Sequence, residues 1–486
     1  MEILADLHPR DVFKYFEEIS AIPRGSGNEK QISDYLVGIG KKLGLEVIQD
    51  SALNVIIKKS GTSGYENAPT VILQGHMDMV CEKNKDTIHD FQNDPIKLTI
   101  DGDYIYATGT TLGADNGIAV AYALAILASN DIDHPPLEIF ITTDEETGMG
   151  GAMTVNPQHL KGKILINLDS EEEGYLLVSC AGGIRNKVSL DIQWEEPKEK
   201  NLVLLEIRVR GLKGGHSGME INRERGNSNK IMGRILIDLL QTIDFRLASL
   251  NGGSKNNAIP REHDARLLVE KDKVELVKER IEFWNKTLKN ELSTSDSGIR
   301  VECEALDEKY DKIFSKYTTE NAVKLLYLIP NGVNTMSMDI EGLVESSTNL
   351  GVVTTTDILV EYDSSARSSV GSLKEELIVR TRLIAELLGA ELSTTGNYPE
   401  WKYNANSKIR TICQRVYKEM TGEDAKILAI HAGLECGLFT ERLGADVDMI
   451  SFGPNMYDVH TPNEHLSISS VKNVWDFLLN VLKELK

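Results

Sequence analysis

The sequence predicts an α/β protein. A domain with a mostly parallel, twisted sheet flanked by helices is interrupted by an inserted two-layer α/β domain. Three observations carry this. Short β-branched, apolar stretches alternate with helix-length stretches early in the chain, as in sheets covered on both faces. Three of those stretches run into GHMD (75–78), TTDEETGMGG (142–151) and INLDS (166–170), so acids follow apolar strands. The pattern changes from about Asn186 and returns after the breaker-rich Gly396-Asn-Tyr-Pro-Glu-Trp.

Residues 10–43 read as two helices split at Ile22-Pro-Arg-Gly-Ser-Gly, with Gly44 as a stop. Residues 54–58 and 70–78 read as strands. His76 and Asp78, two apart, point to one side of a strand, and a carboxylate often holds the far nitrogen of a histidine ligand. Asp115 stands among glycines at the entrance to a helix that ends near Ser129, where it reads equally as an N-cap and as a ligand. After Pro135-Pro136, the strand over 137–141 leads to Asp144, Glu145 and Glu146. Gly148, Gly150 and Gly151 follow and permit close backbone approach. A third strand ends at Asp169, and Glu171 to Glu173 read as solvated surface.

The middle of the chain reads as strand 202–210, a GGHSG loop, helix 229–242, strand 264–270 and a helix from Val274. A second round follows: strand 298–305, helix 319–328, the extended stretch 348–362 and helix 373–388. The repeated order predicts a duplicated unit, with Asn257 and Asn349 at comparable places. The expected domains are 1–186 with 400–486 for catalysis and 187–399 for the lid. The last part holds a helix over 407–421, His431-Ala-Gly-Leu-Glu-Cys-Gly, a strand over 447–453, His460 in a loop and a final helix from Ser469.

Net charge is −21, which argues against nucleic acid or anionic membrane as a partner. No apolar run reaches the ~18 residues of a membrane span, and the amphipathic N-terminus has no signal core. Five scattered cysteines, never in CxxC, point to a reduced cytoplasmic protein without a cysteine zinc site.

His76, Asp115, Glu146 and Asp169 lie at or just past strand ends, which share one edge of an open α/β sheet. His460 would join them from the far end of the chain. Five nitrogen and oxygen ligands suit zinc, manganese or cobalt. If Asp115 bridges two ions, His76 and Asp169 complete one site and Glu146 and His460 the other. A position then remains for a shared water, as in hydrolytic two-metal sites. Glu145 is the adjacent non-ligand carboxylate and the natural general base.

The segments GHMDMV, GADNGIAVA, DEETGMGG, INLDSEE, GGHSG and DVHTPNEH occur in the order found in the co-catalytic di-zinc exopeptidases. The chain resembles that family over nearly its whole length. HMDMVCEK, TGTTLGADNGIA and HAGLECG make it most similar to the aminoacyl-histidine dipeptidase branch. The resemblance implies two divalent ions, zinc first with cobalt or manganese as alternatives, held by His76, Asp115, Glu146, Asp169 and His460. It implies that Asp78 orients a ligand and that Glu145 deprotonates the water and then protonates the leaving amine. A cis peptide at Asp115–Asn116 belongs to the same pattern. His216 matches an oxyanion-stabilising lid histidine, which many relatives take from a neighbouring subunit. The duplicated segment would let it act in cis. Arg367 matches the arginine that clamps the substrate carboxylate, a bidentate task, and Asn257 is a further lid contact. The implied activity is hydrolysis of Xaa-His dipeptides, including β-alanyl-histidine, with broader dipeptide cleavage. The alternatives are an N-acyl-amino-acid deacylase, a tripeptidase or a non-catalytic metal-bound binding protein. The implied partner is a small peptide, and a homodimer is left open. Glu435 is a candidate to hold the substrate's free amino group; His431 reads as the start of a turn.

Overall fold

The computed structural model describes residues 3–197, 201–308, 310–444 and 446–486. The chain divides into two compact units. One comprises Met1–Cys180, Trp401–Ala429 and Leu434–Lys486; the other comprises Ala181–Glu400 and Ile430–Gly433. The second unit begins at Ala181 rather than at 187, because Gly182–Asp191 is one continuous strand of its sheet. The sequence reading missed that strand, whose polar Arg185 and Lys187 alternate with buried residues. It also missed that Ile430–Gly433 belongs to the second unit.

The first unit holds an eight-stranded sheet. Its middle is parallel: Val71–His76 lies between Leu137–Thr142 and Ile164–Asn167, and Asp448–Ser451 runs parallel beside the latter. The margins are antiparallel. Glu46–Gln49 pairs with Val55–Lys59, which pairs with Leu137–Thr142, and Tyr175–Cys180 meets Asp448–Ser451. The sheet is therefore mixed, parallel at its centre and antiparallel at its margins. Helix Ala114–Ala128 carries no charge beyond Asp115 and is buried along nearly its whole length, as an apolar helix must be. With helices Arg10–Ser20, Lys30–Lys42 and Ile468–Glu484 it builds the core. A small sheet pairs Met456–Tyr457, His465–Ser467, Tyr104–Ala107 and Leu98–Asp101 in that order.

The second unit is built on one sheet with two equivalent halves. The first half runs Arg300–Leu306, Leu202–Arg210, His263–Glu270, Arg246–Gly252. The second half, from the far edge, runs Glu391–Tyr398, Gly182–Asp191, Leu359–Ser368, Val344–Thr355. Numbered along the chain, each half has its fourth strand outside, then its first, third and second. A helix follows the first and third strand of each: Ser228–Thr242 and Val274–Glu291, then Lys316–Leu328 and Gly371–Leu387. The first half is inserted after the first strand of the second. The halves meet through their second strands, where Gly252 faces Val353. Thr355 reinforces that seam by exchanging bonds with Leu250 and Asn251.

Two details differ from the sequence reading. The stretch 348–362 is not one strand but parts of two, turning at 356–358. Asn257 and Asn349 are also not equivalent. Asn257 lies in the connection 253–262, whereas Asn349 lies inside Val344–Thr355. Its side chain donates to the carbonyls of Asn256 (3.0 Å) and Ala258 (2.9 Å), so it grips the Asn257 loop.

Candidate metal centre

The candidate ligands sit where the first unit's elements end. His76 is the last residue of Val71–His76. Asp169 follows Ile164–Asn167 by two residues. Leu137–Thr142 ends before Asp144, whose φ of +55° turns the chain into a one-turn helix, Glu145–Gly148. Glu145 and Glu146 therefore diverge by a helical step, not by the alternation of a strand. Thr147 donates to Asp144, which supports the turn. A Cβ at Gly151 would come within 2.4 Å of the Thr143 carbonyl, which explains one of the glycines. Asp115 stands in the first turn of its helix after Gly113, at φ +70°. His460 is carried by the loop of the hairpin Met456–Tyr457 to His465–Ser467. Its φ is +63°, an uncommon conformation for a residue with a side chain and one that clusters at functional sites.

The geometry divides these residues into two sets. His76 Nε2 lies 3.1 Å from Asp115 Oδ1 and 3.4 Å from Asp169 Oδ1. His460 Nε2 lies 3.2 Å from Asp115 Oδ2 and 3.1 Å from Glu146 Oε2. Each oxygen of Asp115 thus faces a different histidine and a different second acid. Around a tetrahedral ion with bonds of about 2.0–2.1 Å, neighbouring donor atoms lie roughly 3.3 Å apart. The observed separations match that edge. Glu146 Oε1 is buried with no hydrogen-bond partner among the described residues, as befits an atom reserved for a cation.

Electrostatics point the same way. Burial pushes the Glu145 carboxyl up to about 8; His76 opposes the rise, and Glu435, Glu146 and Asp115 add to it. Burial likewise holds Asp169 well above the usual range. His460 is pushed up to about 11 by its bonds to Asp115 and Glu146. The acids outnumber the cationic side chains that face them, so bound cations would relieve their mutual repulsion. Glu171 is exposed, as the sequence suggests, yet the crowding of protein around its carboxyl and then the nearby Asp115 raise it to about 7, so it feels the charge of this group.

Asp78 lies against His76. Its Oδ1 is 3.4 Å and its backbone carbonyl 3.2 Å from His76 Nδ1, and its carboxylate accepts from Ser26 Oγ and from the amides of Glu145 and Glu146. The Asp115–Asn116 peptide is cis. Asn116 accepts from the amide of His76 and donates to the carbonyl of Leu168, tying the two ligand strands together.

Sequence reasoning missed two residues. Glu464 is buried and accepts from the amides of Leu112, Gly113, Ala114 and Asp115, which places an anion at the amino end of the Asp115 helix. Arg24, also buried, donates to the carbonyls of Met77, Asp78 and Gly113. An acid four residues past His460 and an arginine inside a Pro-Gly turn were the available signals.

Glu435 differs from expectation. It is 1% exposed, its Oε2 accepts from Gln74 and Thr142, and its Oε1 has no hydrogen-bond partner among the described residues, so it is buried and not open at the surface to a substrate amine.

In the second unit, Gly215–His216 pairs with Ala258–Ile259, and the Ser217 amide donates to the Asn257 carbonyl, so His216 and the exposed Asn257 are neighbours. His216 Nδ1 accepts from the amides of Gly218 and Met219. Burial and then Arg367 lower its pKa. Arg367, on Leu359–Ser368, donates to the Tyr398 hydroxyl at 2.8 Å. His431 is not a mere turn residue: it is buried, 2.7 Å from Ser347 Oγ, and Ser347 is the cross-strand partner of Arg367.

Asp115 between two sets of nitrogen and oxygen donors, with Glu145 beside them at the end of the parallel strands, suits a metal-dependent hydrolase. The chain belongs to peptidase family M20/M25/M40, whose sequence profile matches residues 72–484. It is 40% identical over 485 residues to the cytosol non-specific dipeptidase of Escherichia coli K12, covering 100% of this chain and 99% of that protein. It is also similar to the crystal structure of aminoacylhistidine dipeptidase from Vibrio alginolyticus. There the TM-score is 0.95 at 39% identity, with 99% of this chain and 98% of that one covered. A tripeptidase from Staphylococcus aureus shares the fold alone, with a TM-score of 0.55 at 17% identity over 99% of both chains.

Proposed function

We propose that this chain is a cytosolic dipeptidase that cleaves Xaa-His dipeptides, β-alanyl-histidine included, together with other dipeptides. The observation that carries the reading is the division of Asp115 between two donor sets beside Glu145. The substrate class is supported by the names of the E. coli and V. alginolyticus relatives, and the compartment by the name of the former.

His76, Asp169 and Asp115 would hold one divalent ion, and His460, Glu146 and Asp115 the other, zinc before cobalt or manganese on this donor chemistry. Such ions supply Lewis acidity and make water acidic enough to attack near neutral pH. Glu145 takes the proton of the attacking water on its carboxylate. The water oxygen bonds to the peptide carbonyl carbon, the carbon–nitrogen bond breaks, and Glu145 returns the proton to the leaving amine. His216 donates from Nε2 to the carbonyl oxygen as charge develops there. Arg367 pairs with the substrate's terminal carboxylate, and Asn257 adds a polar contact.

Replacing Glu145 with Ala is expected to lower kcat by about 10²–10⁴-fold while metal analysis still finds both ions. Retained activity would remove Glu145 from the base role. A panel of Xaa-His peptides, other dipeptides, tripeptides and acetylated amino acids tests the substrate class. Preference for tripeptides or acetylated substrates would overturn it.

A further inference from the structure

The carboxylate of Glu435 is buried against the strands that lead to the candidate ligands, and its Oε1 has no hydrogen-bond partner among the described residues. Its Oε2 accepts from Gln74 Nε2 at 2.5 Å and from Thr142 Oγ1 at 2.9 Å. Gln74 Nε2 also lies 3.2 Å from Thr142 Oγ1, and Gln74 Oε1 accepts from Asn167 Nδ2 at 2.5 Å. All four side chains are at most 1% exposed.

The register gives this network its meaning. Gln74 is the cross-strand partner of Asn167, and His76 is the partner of Thr142. Gln74 precedes His76 by two residues and Asn167 precedes Asp169 by two, so each shares a strand face with its ligand. Thr142 is the last residue before the turn to Glu145 and Glu146. Helix Glu435–Leu443 covers the same face, with Phe439 packed on Phe140, the other partner of Gln74. Three adjacent strands, each leading to a ligand, are thus joined to one acid through their own side chains. A buried carboxylate that only filled space would cost far more than an apolar residue there.

We propose that Glu435 is a positioning residue. It fixes the relative placement of the strand ends that bear His76, Glu145, Glu146 and Asp169, and does not contact substrate. The inference rests on the metallodipeptidase reading above. Outer partners of this kind typically alter metal affinity by about 10–100-fold when removed.

Glu435→Ala, Glu435→Gln and Thr142→Val are compared with wild type. Metal affinity is read by chelator competition, ligand geometry by the visible spectrum of the cobalt-loaded protein, and kcat and KM on an Xaa-His dipeptide. The expected result for Glu435→Ala is metal release about 10–100-fold easier, an altered cobalt spectrum and a fall in kcat with KM nearly constant. Glu435→Gln, which still accepts from Gln74 and Thr142, recovers most of the loss. Thr142→Val, which removes one donor and little volume, shows a milder loss if Glu435→Ala does not fold. A rise in KM with unchanged spectrum and metal affinity would make Glu435 a substrate contact and overturn the proposal. So would a lowered melting temperature with metal affinity, spectrum and kcat all unchanged. If wild type binds two ions but cleaves no dipeptide, the functional reading fails, and the affinity and spectral arms still decide the role of Glu435.

Discussion

The proton of His216 is placed by its neighbours. Two backbone amides, of Gly218 and Met219, point at Nδ1, so the neutral ring must carry its hydrogen on Nε2. Burial and Arg367 keep the ring neutral near pH 7. The result is a hydrogen-bond donor of fixed direction, which suits an oxyanion better than a mobile imidazolium. His216→Ala is therefore expected to lower kcat by about 10²–10³-fold with a small change in KM. Steady-state kinetics on one dipeptide decide this; an unchanged kcat removes His216 from the reaction. Glu435 teaches the opposite lesson. Its type and position in HAGLECG suggested a substrate contact, but a sequence does not tell an acid facing a cleft from one buried against Gln74.

Elements with one clean period were legible before the structure was known. Strand Leu202–Arg210 and helix Ser228–Thr242 fall within a residue of expectation, because their patterning is strong and their ends carry turn residues. Gly182–Asp191 and Glu391–Tyr398 were not legible, since exposed polar residues dilute their alternation. Of the candidate ligands, His76, Glu146 and Asp169 stood out because they follow apolar strands, whereas Asp115 opens a helix and His460 lies in a hairpin loop. Arg24 and Glu464 were not legible, because what they bind is backbone contributed by distant segments. Strand His263–Glu270 carries a further test. Buried His263 holds Asn229, on helix Ser228–Thr242, at 2.7 Å, and burial first and then Arg210 push its pKa down to about 3. The unfolded value is about 6.5, so the folded state refuses a proton that the unfolded state takes. This contribution is fully present above pH 6.5 and is lost as pH falls toward 3, by at most about 1.4 kcal/mol per pH unit. Urea unfolding between pH 4 and 7 should show a shallower pH dependence for His263→Gln than for wild type; equal slopes contradict the assignment.

At the scale of the molecule, acids exceed bases by 74 to 53, and a buried share of that excess surrounds Asp115. Chelation is therefore expected to lower the melting temperature, and added zinc to restore it. Ligand linkage gives about 4 kcal/mol at a thousandfold excess over Kd. Calorimetry with and without chelator measures this, and an unchanged transition would mean that these residues hold no ion. Elsewhere in the chain, the sheet of the second unit has a seam at Gly252 and Val353 where two like halves meet. Separate subunits make such edge-to-edge pairings by collision and lose them on dilution. On a single chain the encounter is intramolecular, so its occupancy is independent of how much protein a cell makes. Sharing one polypeptide also frees the halves from having to stay identical. The connection after the second strand has become the long loop 253–262 in one half and the tight turn 356–358 in the other, a division of labour that a symmetric pair of identical chains cannot encode.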